Sequence, residues 1–280
     1  MSKRTLLLLL AGLIMSQVFF PFIVTAQGNL LLTPRRIVFD GNKRSIDLNL
    51  ANVGKDTATY AISIVQVRMT DDGNFETITQ PDPGQNFADQ FLRFFPRAVT
   101  LGPNETQTVK IQLVRTGQLS PGEYRSHFYF RAIPKEKPLG ETETPQDQST
   151  ISVRLTPVFG ITIPAIIRVG ESTAKVTISD VSLQMVNDTI PHLTLTFNRT
   201  GNFSVYGDLA IDHISPDGTV TRVGIANGVA VYTPNTQRRF QLNLNNLPGV
   251  DLNTGKIKIT FSAPSDIKPE KYAEAELILN

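Results

Sequence analysis

FPRAVTLGPNETQTVKIQLVR, residues 95–115, shows how this chain folds. After a proline-containing turn, Val109, Ile111 and Leu113 alternate with Lys110 and Gln112. A period of two sends successive side chains to opposite faces of a strand, leaving one face apolar and the other polar. The rhythm recurs along the chain. Ile46, Leu48 and Leu50 alternate with Asp47 and Asn49, and Leu193, Leu195 and Phe197 alternate with threonines. Leu242 and Leu244 flank Asn243, and Ile257, Ile259 and Phe261 alternate with Lys258 and Thr260. Helical periodicity is scarce. Turn signals separate the strands at Asp40-Gly41, Asp72-Gly73, Pro121-Gly122, Pro216-Asp217-Gly218 and Pro248-Gly249. Half-buried strands at this spacing pack sheet on sheet, so the expected fold class is all-β, built of β-sandwiches.

The 280 residues begin with a segment that reads as an export signal. Lys3 and Arg4 give a basic start, residues 5–23 are nearly all apolar, and Val24-Thr25-Ala26 offers small residues for cleavage before Gln27. The competing reading is an uncleaved anchor, since the run is long enough to span a membrane. Pro21 within it and Ala26 at its end favour cleavage. Setting aside Lys3 and Arg4 leaves 25 basic residues against 25 acidic ones, a near-neutral chain with no basic patch for nucleic acid. With no cysteine there is no disulfide and no thiolate metal site.

About 250 residues after the signal suit two domains. The expected organisation is a signal peptide at 1–26, a first domain at 27–164 and a second at 165–280. ITIPAIIRV, residues 161–169, is read as a strand end, a short apolar hinge at Pro164, and entry into the second domain. KEKPLGETETPQDQ, residues 135–148, is polar and proline-bearing, and is read as a mobile excursion between two strands.

The sequence offers little catalytic chemistry. His127, His192 and His213 are scattered and read as structural. No phosphate loop, serine elbow, HExxH or calcium loop occurs, and Asp71-Asp72-Gly73 reads as a hairpin turn. Glu141 and Glu143 lie in the polar excursion. The chain therefore reads as neither an enzyme nor a binder of cofactors, metals or small-molecule substrates.

Two segments carry a different kind of chemistry. In TPRRIVFDG, residues 33–41, Arg35 and Arg36 precede an apolar strand and a turn, and their side chains point to opposite faces. Either both are edge charges that discourage aggregation, or one presents its guanidinium fork to a carboxylate. In TISVRLTPVF, residues 150–159, Ile151, Val153 and Leu155 alternate with Ser152, Arg154 and Thr156. This is either an ordinary core strand or an edge strand that lends side chains to another chain.

Taken together and in order, TPRRIVFDG, the 95–115 segment, YRSHFYFRAIP (124–134) and TISVRLTPVFGITIPA (150–165) resemble the periplasmic pilus chaperones of the chaperone–usher type. The resemblance covers most of residues 29–165. It implies two immunoglobulin-like sandwiches in an L or boomerang, and location in the periplasm. It also implies partnership with pilus or fimbrial subunits and an outer-membrane usher. Arg36 would anchor a subunit's C-terminal carboxylate, while Ile151, Val153 and Leu155 form the donor strand that fills the subunit's groove.

The chain departs from the family pattern. The position of the family's second anchoring lysine is Phe159, or Gly160 after a one-residue shift, and no lysine lies between Ile151 and Ile163. Arg154 is the basic residue of that strand, though it stands early for the role. The family's charged interdomain pair falls on Ala132 and Ile163, which predicts an apolar hinge around residues 163–167. The alternative function is a structural or adhesive immunoglobulin-like module of the cell envelope.

Overall fold

The computed structural model describes residues 30–41, 43–134, 158–187, 189–265 and 269–279, and nearly all regular structure among them is strand. The expected signal peptide, the segment 135–148 and the expected donor residues Ile151, Val153 and Leu155, with Arg154, lie outside the described residues. No helix among the described residues is long and apolar enough to cross a membrane.

The first unit contains β1 (Leu30–Thr33), β2 (Ile37–Phe39), β3 (Ser45–Asn52), β4 (Ala58–Val65), β5 (Val67–Met69), β6 (Phe75–Thr77), β7 (Leu92–Phe95), β8 (Ala98–Leu101), β9 (Thr106–Leu113), β10 (Gly122–Ile133) and β11 (Gly160–Val169). The second contains β12 (Lys175–Val186), β13 (Ile190–Thr200), β14 (Val205–Ile214), β15 (Val220–Val231), β16 (Gln237–Asn243), β17 (Gly255–Ser262) and β18 (Lys271–Leu279).

In the first unit a sheet ordered β1-β3-β9-β7 faces one ordered β2-β11-β10-β4-β8. Leu48, Leu50, Val109 and Ile111 from the first sheet meet Tyr60, Phe128, Phe130 and Ala165 from the second. In the second unit β12-β13-β16 faces β15-β14-β17-β18. There Leu193, Leu195 and Phe197 meet Leu209, Ile211, Ile257, Ile259 and Phe261. Each such side chain is worth about 1.5–3 kcal/mol on burial, so the period-two pattern holds the fold collectively. Leu242 packs at the rim rather than inside.

TPRRIVFDG is not one continuous strand. β1 pairs antiparallel with β3, whereas β2 pairs parallel with β11, so the chain crosses from one sheet to the other at residues 34–36. Pro34 has no N–H to give a ladder, which suits a residue at the crossing. The turn at Asp40-Gly41 follows, with Gly41 at φ +54°.

β11 runs unbroken through Pro164. It pairs with β10 from Arg131↔Gly160 to Gly122↔Val169, and Ala165 and Ile167 enter the first core. We therefore place the passage between the two units after Val169, at residues 170–174. The β2 ladder begins only at Ala165↔Ile37. Residues 160–164 thus have β10 on one side and, among the described residues, no strand on the other.

Candidate functional site

β10 and β11 are two-faced. Phe128, Phe130 and Ala132 of β10, with Ile163, Ala165 and Ile167 of β11, face the first core. The opposite face carries Glu123, Arg125 and His127 from β10, beside Ile166 and Arg168 from β11. The register pairs Glu123 with Arg168, Arg125 with Ile166 and His127 with Pro164. A polar sheet face would ordinarily meet water. Here Glu123, Arg125 and His127 are each no more than 3% exposed, because the second unit and the β5–β6 hairpin cover them.

Glu123 is the hub of this junction. It accepts hydrogen bonds from Arg168 Nε at 3.1 Å, Ser204 N at 3.0 Å and Thr233 Oγ1 at 3.1 Å, and also from the Ser204 hydroxyl. Arg168 Nη2 donates to Ser204 O at 2.7 Å, and its guanidinium lies 5.2 Å from the Phe203 ring centroid. A buried carboxylate is tolerable only when paired and hydrogen-bonded this fully. The apolar hinge expected around residues 163–167 holds only at Ile166, and not at Ala132 or Ile163. Both side chains belong to the first core, and the charged pair is Glu123–Arg168 instead. The apolar part of the junction is Met69, Ile166, Ala230 and Tyr232, with Tyr206 packed against them.

Arg35 is exposed, whereas Arg36 turns into the junction. The Arg36 guanidinium lies 4.6 Å from the Tyr206 ring centroid, a cation–π distance. Its Nε and Nη2 are buried and meet no acceptor among the described residues. These two N–H groups lie on one edge of the guanidinium, the edge that receives a carboxylate in bidentate fashion. Burial lowers the Arg36 pKa from its usual value, and the Arg168 cation adds to this. The group remains a cation at any ordinary pH.

Arg125 makes a second stack, 4.5 Å from the Tyr232 ring centroid. Its Nη2 reaches Thr233 O at 3.4 Å, and its Nε and Nη1 are buried with no acceptor among the described residues. Burial lowers its pKa too. The Tyr232 hydroxyl feels both guanidiniums: burial raises its pKa, while the Arg36 and Arg125 charges and a side-chain hydrogen bond from Arg36 oppose the rise.

The β5–β6 hairpin straps the junction from one side. Asn235 Nδ2 donates to Met69 O at 3.0 Å, and Arg239 N donates to Asp71 O at 2.6 Å. Arg239 Nε donates to Asp72 Oδ1 at 2.8 Å. Asp71-Asp72-Gly73 is therefore a hairpin turn that docks on the second unit. Phe75 packs on His127 and Tyr232 at 5.4 and 6.1 Å. Inside this packing, burial with the nearby Arg125 charge pushes the His127 pKa down to about 3.

Of the residues singled out from sequence, Arg36 reaches this junction, and Ile151, Val153, Leu155 and Arg154 lie outside the described residues. A Cβ at Gly160 would meet the end of the Tyr129 ring, which would have to shift to admit a side chain. Sequence reasoning missed Glu123, Arg125, Arg168, Tyr206 and Tyr232. Glu123, Arg125 and His127 alternate on the face opposite the aromatic core of β10, the pattern of an ordinary solvated face, so the sequence alone did not set them apart.

The profile of an Fn3-like domain matches residues 38–131. No curated protein matches the sequence. Among solved structures, the YadV chaperone is 13% identical with a TM-score of 0.44, over 90% of this chain and 100% of that chain. The chain is similar to fimbrial chaperones. The CsuC–CsuE chaperone–tip adhesion subunit complex, from archaic chaperone–usher Csu pili of Acinetobacter baumannii, is 12% identical with a TM-score of 0.42, over 89% of this chain and 98% of that chain. The E. coli chaperone DraB is 13% identical with a TM-score of 0.41, over 90% and 96% respectively.

Proposed function

We propose that this protein is an exported periplasmic chaperone that caps surface-fibre subunits. Arg36 receives the subunit's C-terminal carboxylate, and the strand leading into β11 is lent to the subunit's open groove. One observation carries the reading: the Nε–Nη2 edge of Arg36, held over Tyr206, is buried with no acceptor among the described residues. An unpaired buried donor costs about 1–3 kcal/mol, more when charged, so this edge is suited to a ligand, while the Tyr206 stack and a hydrogen bond to Tyr232 hold the guanidinium in place.

The β11 edge supports the second half of the reading. Residues 160–164 have β10 on one side only among the described residues. Ile161, Ile163 and Ala165 face the core side of β11, and Ile151, Val153 and Leu155 share their odd parity. If that parity continues, one face of the preceding strand is apolar and available for β-augmentation. The carboxylate then fixes the register, and the register decides which side chains enter the subunit.

Co-purification of fibre subunits with the wild type, Arg36→Ala and Val153→Asp tests the proposal. Both variants should stay folded and lose the subunits, Val153→Asp because it would place a carboxylate in an apolar groove. Folded variants that retain subunits fully would replace this reading with that of a structural immunoglobulin-like module.

A further inference from the structure

Arg36 belongs to the first unit, yet the two groups that hold its guanidinium belong to the second. Tyr206 of β14 lies beneath it at 4.6 Å, and the Tyr232 hydroxyl, just past the end of β15, accepts a hydrogen bond from it. Both contacts leave the Nε–Nη2 edge without a partner among the described residues. The Tyr232 ring packs with Met69, Ile166 and Ala230, and phenylalanine would fill the same space. What the hydroxyl adds is the contact to Arg36.

Both tyrosines are placed by the same hub. Ser204, two residues before Tyr206, donates its backbone N–H to Glu123 at 3.0 Å. Thr233, next after Tyr232, donates its hydroxyl to Glu123 at 3.1 Å. Thr233 N also donates to Ser204 Oγ at 3.1 Å, tying the two segments together. The backbone is shaped around the Tyr206 ring as well. The β14–β15 register shifts between Gly207 and Leu209, where Gly228 N donates to Asp208 Oδ1 at 2.8 Å. Gly228 has φ +72°, and a Cβ there would lie 2.9 Å from the Tyr206 hydroxyl. An irregularity of this kind re-aims a side chain, and glycine tolerates both the positive φ and the close approach.

We infer that Tyr206 and Tyr232 are positioning residues for carboxylate binding: together they fix Arg36 with its free edge open to the anion, so that the anchor is a site shared by both units. This rests on the carboxylate-anchor reading of Arg36, and it gives the second unit a part in binding. An arginine already ordered spares the complex the entropy of immobilising a long side chain when the ligand arrives.

Three variants separate positioning from packing. Tyr232→Phe keeps the ring and removes the hydroxyl that Arg36 reaches. Tyr206→Leu removes the aromatic face, and Tyr206→Phe restores it. Losing either hold should weaken carboxylate binding about three- to tenfold, the scale of ordering one long side chain on binding. Tyr206→Phe should bind as the wild type does, since the stack needs the ring alone.

The probe is a synthetic peptide of alternating apolar and polar residues, with either a free C-terminal carboxylate or a C-terminal amide, titrated into the full exported chain. The wild type should prefer the carboxylate form. Tyr232→Phe and Tyr206→Leu should each lose about three- to tenfold of that preference while binding the amide as before. In an Arg36→Met chain, Tyr232→Phe should change nothing further, because the tyrosine acts through the arginine. A wild type that prefers the carboxylate, while either Tyr232→Phe or Tyr206→Leu keeps the preference in full, would overturn the inference and leave the role of Arg36 standing. A loss shared equally by both peptides, or a Tyr232→Phe effect that persists in Arg36→Met, would overturn it too, since the tyrosine would then serve the fold. So would a Tyr206→Phe chain as impaired as Tyr206→Leu. If Tyr232→Phe does not fold, the Tyr206 pair decides on the same criterion. A wild type indifferent to the terminal group would defeat the Arg36 reading and this one with it.

Discussion

Replacing Glu123 with glutamine should weaken the whole molecule, because both units meet at that carboxylate. Its two oxygens accept from Arg168 Nε and Ser204 N at 3.1 and 3.0 Å, and from the Thr233 and Ser204 hydroxyls. Hydroxyls can rotate to accept from an amide, whereas Arg168 and a backbone N–H can only donate. The least damaging orientation of the new amide therefore keeps its oxygen on Arg168 and Ser204 N and loses the charge. Removing one member of a buried pair costs about 3–5 kcal/mol, and Arg168, with a side chain 23% exposed, recovers part of this from water. An expected cost of about 3 kcal/mol corresponds to roughly 6–12 °C in a chain of this size. Ser204 and Thr233 belong to the second unit, so the coupling between units should weaken as well. Scanning calorimetry should show a lower first transition, separating from a second. A variant that melts in one transition within about 1 °C of the wild type would refute the assignment of Glu123 as the hub.

Other outcomes follow from the same geometry. His127, with its pKa pushed down to about 3, stays neutral in the folded state while the unfolded chain takes up a proton below its ordinary value of 6.5. The stability it protects is thus present above about pH 6.5 and is lost as pH falls toward 3. Urea unfolding should show about 2 kcal/mol less stability at pH 5 than at pH 7 from this group, and His127→Phe should remove that part of the dependence. An unchanged pH profile in the variant would contradict the burial of a neutral imidazole. Ile163→Arg, at a site 3% exposed in the first core, should cost about 3 kcal/mol or more in chemical denaturation. A cost under about 0.5 kcal/mol, typical of a surface site, would place the residue outside the core.

The sandwiches were legible in the sequence because alternation is a local signal. Ile46, Leu48 and Leu50, or Ile257, Ile259 and Phe261, reveal their inward face without any knowledge of their partners. The junction was only partly legible. Arg36 stood out because a charge beside an apolar strand needs a reason. The Glu123–Arg168 pair joins positions 45 apart in sequence, and its other partners, Ser204 and Thr233 of the second sandwich, are ordinary surface-type residues until the two sandwiches meet. Positions Ala132 and Ile163 suggested an apolar hinge, yet β11 carries its inward alternation past Pro164 and places Ile163 in the first core. The long apolar run Ala165, Ile166 and Ile167 was ambiguous for the same reason: alternate residues serve two different cores.

The central claim, that Arg36 binds a terminal carboxylate, is tested most directly by a double-mutant cycle. Wild type and Arg36→Met would each be titrated calorimetrically with the same strand peptide bearing a C-terminal carboxylate or amide. A charge-assisted bidentate contact predicts a coupling energy of about 1.5–3 kcal/mol between the guanidinium and the carboxylate, roughly a ten- to hundredfold preference that vanishes in the variant. A coupling energy indistinguishable from zero, with both proteins binding both peptides alike, would contradict it.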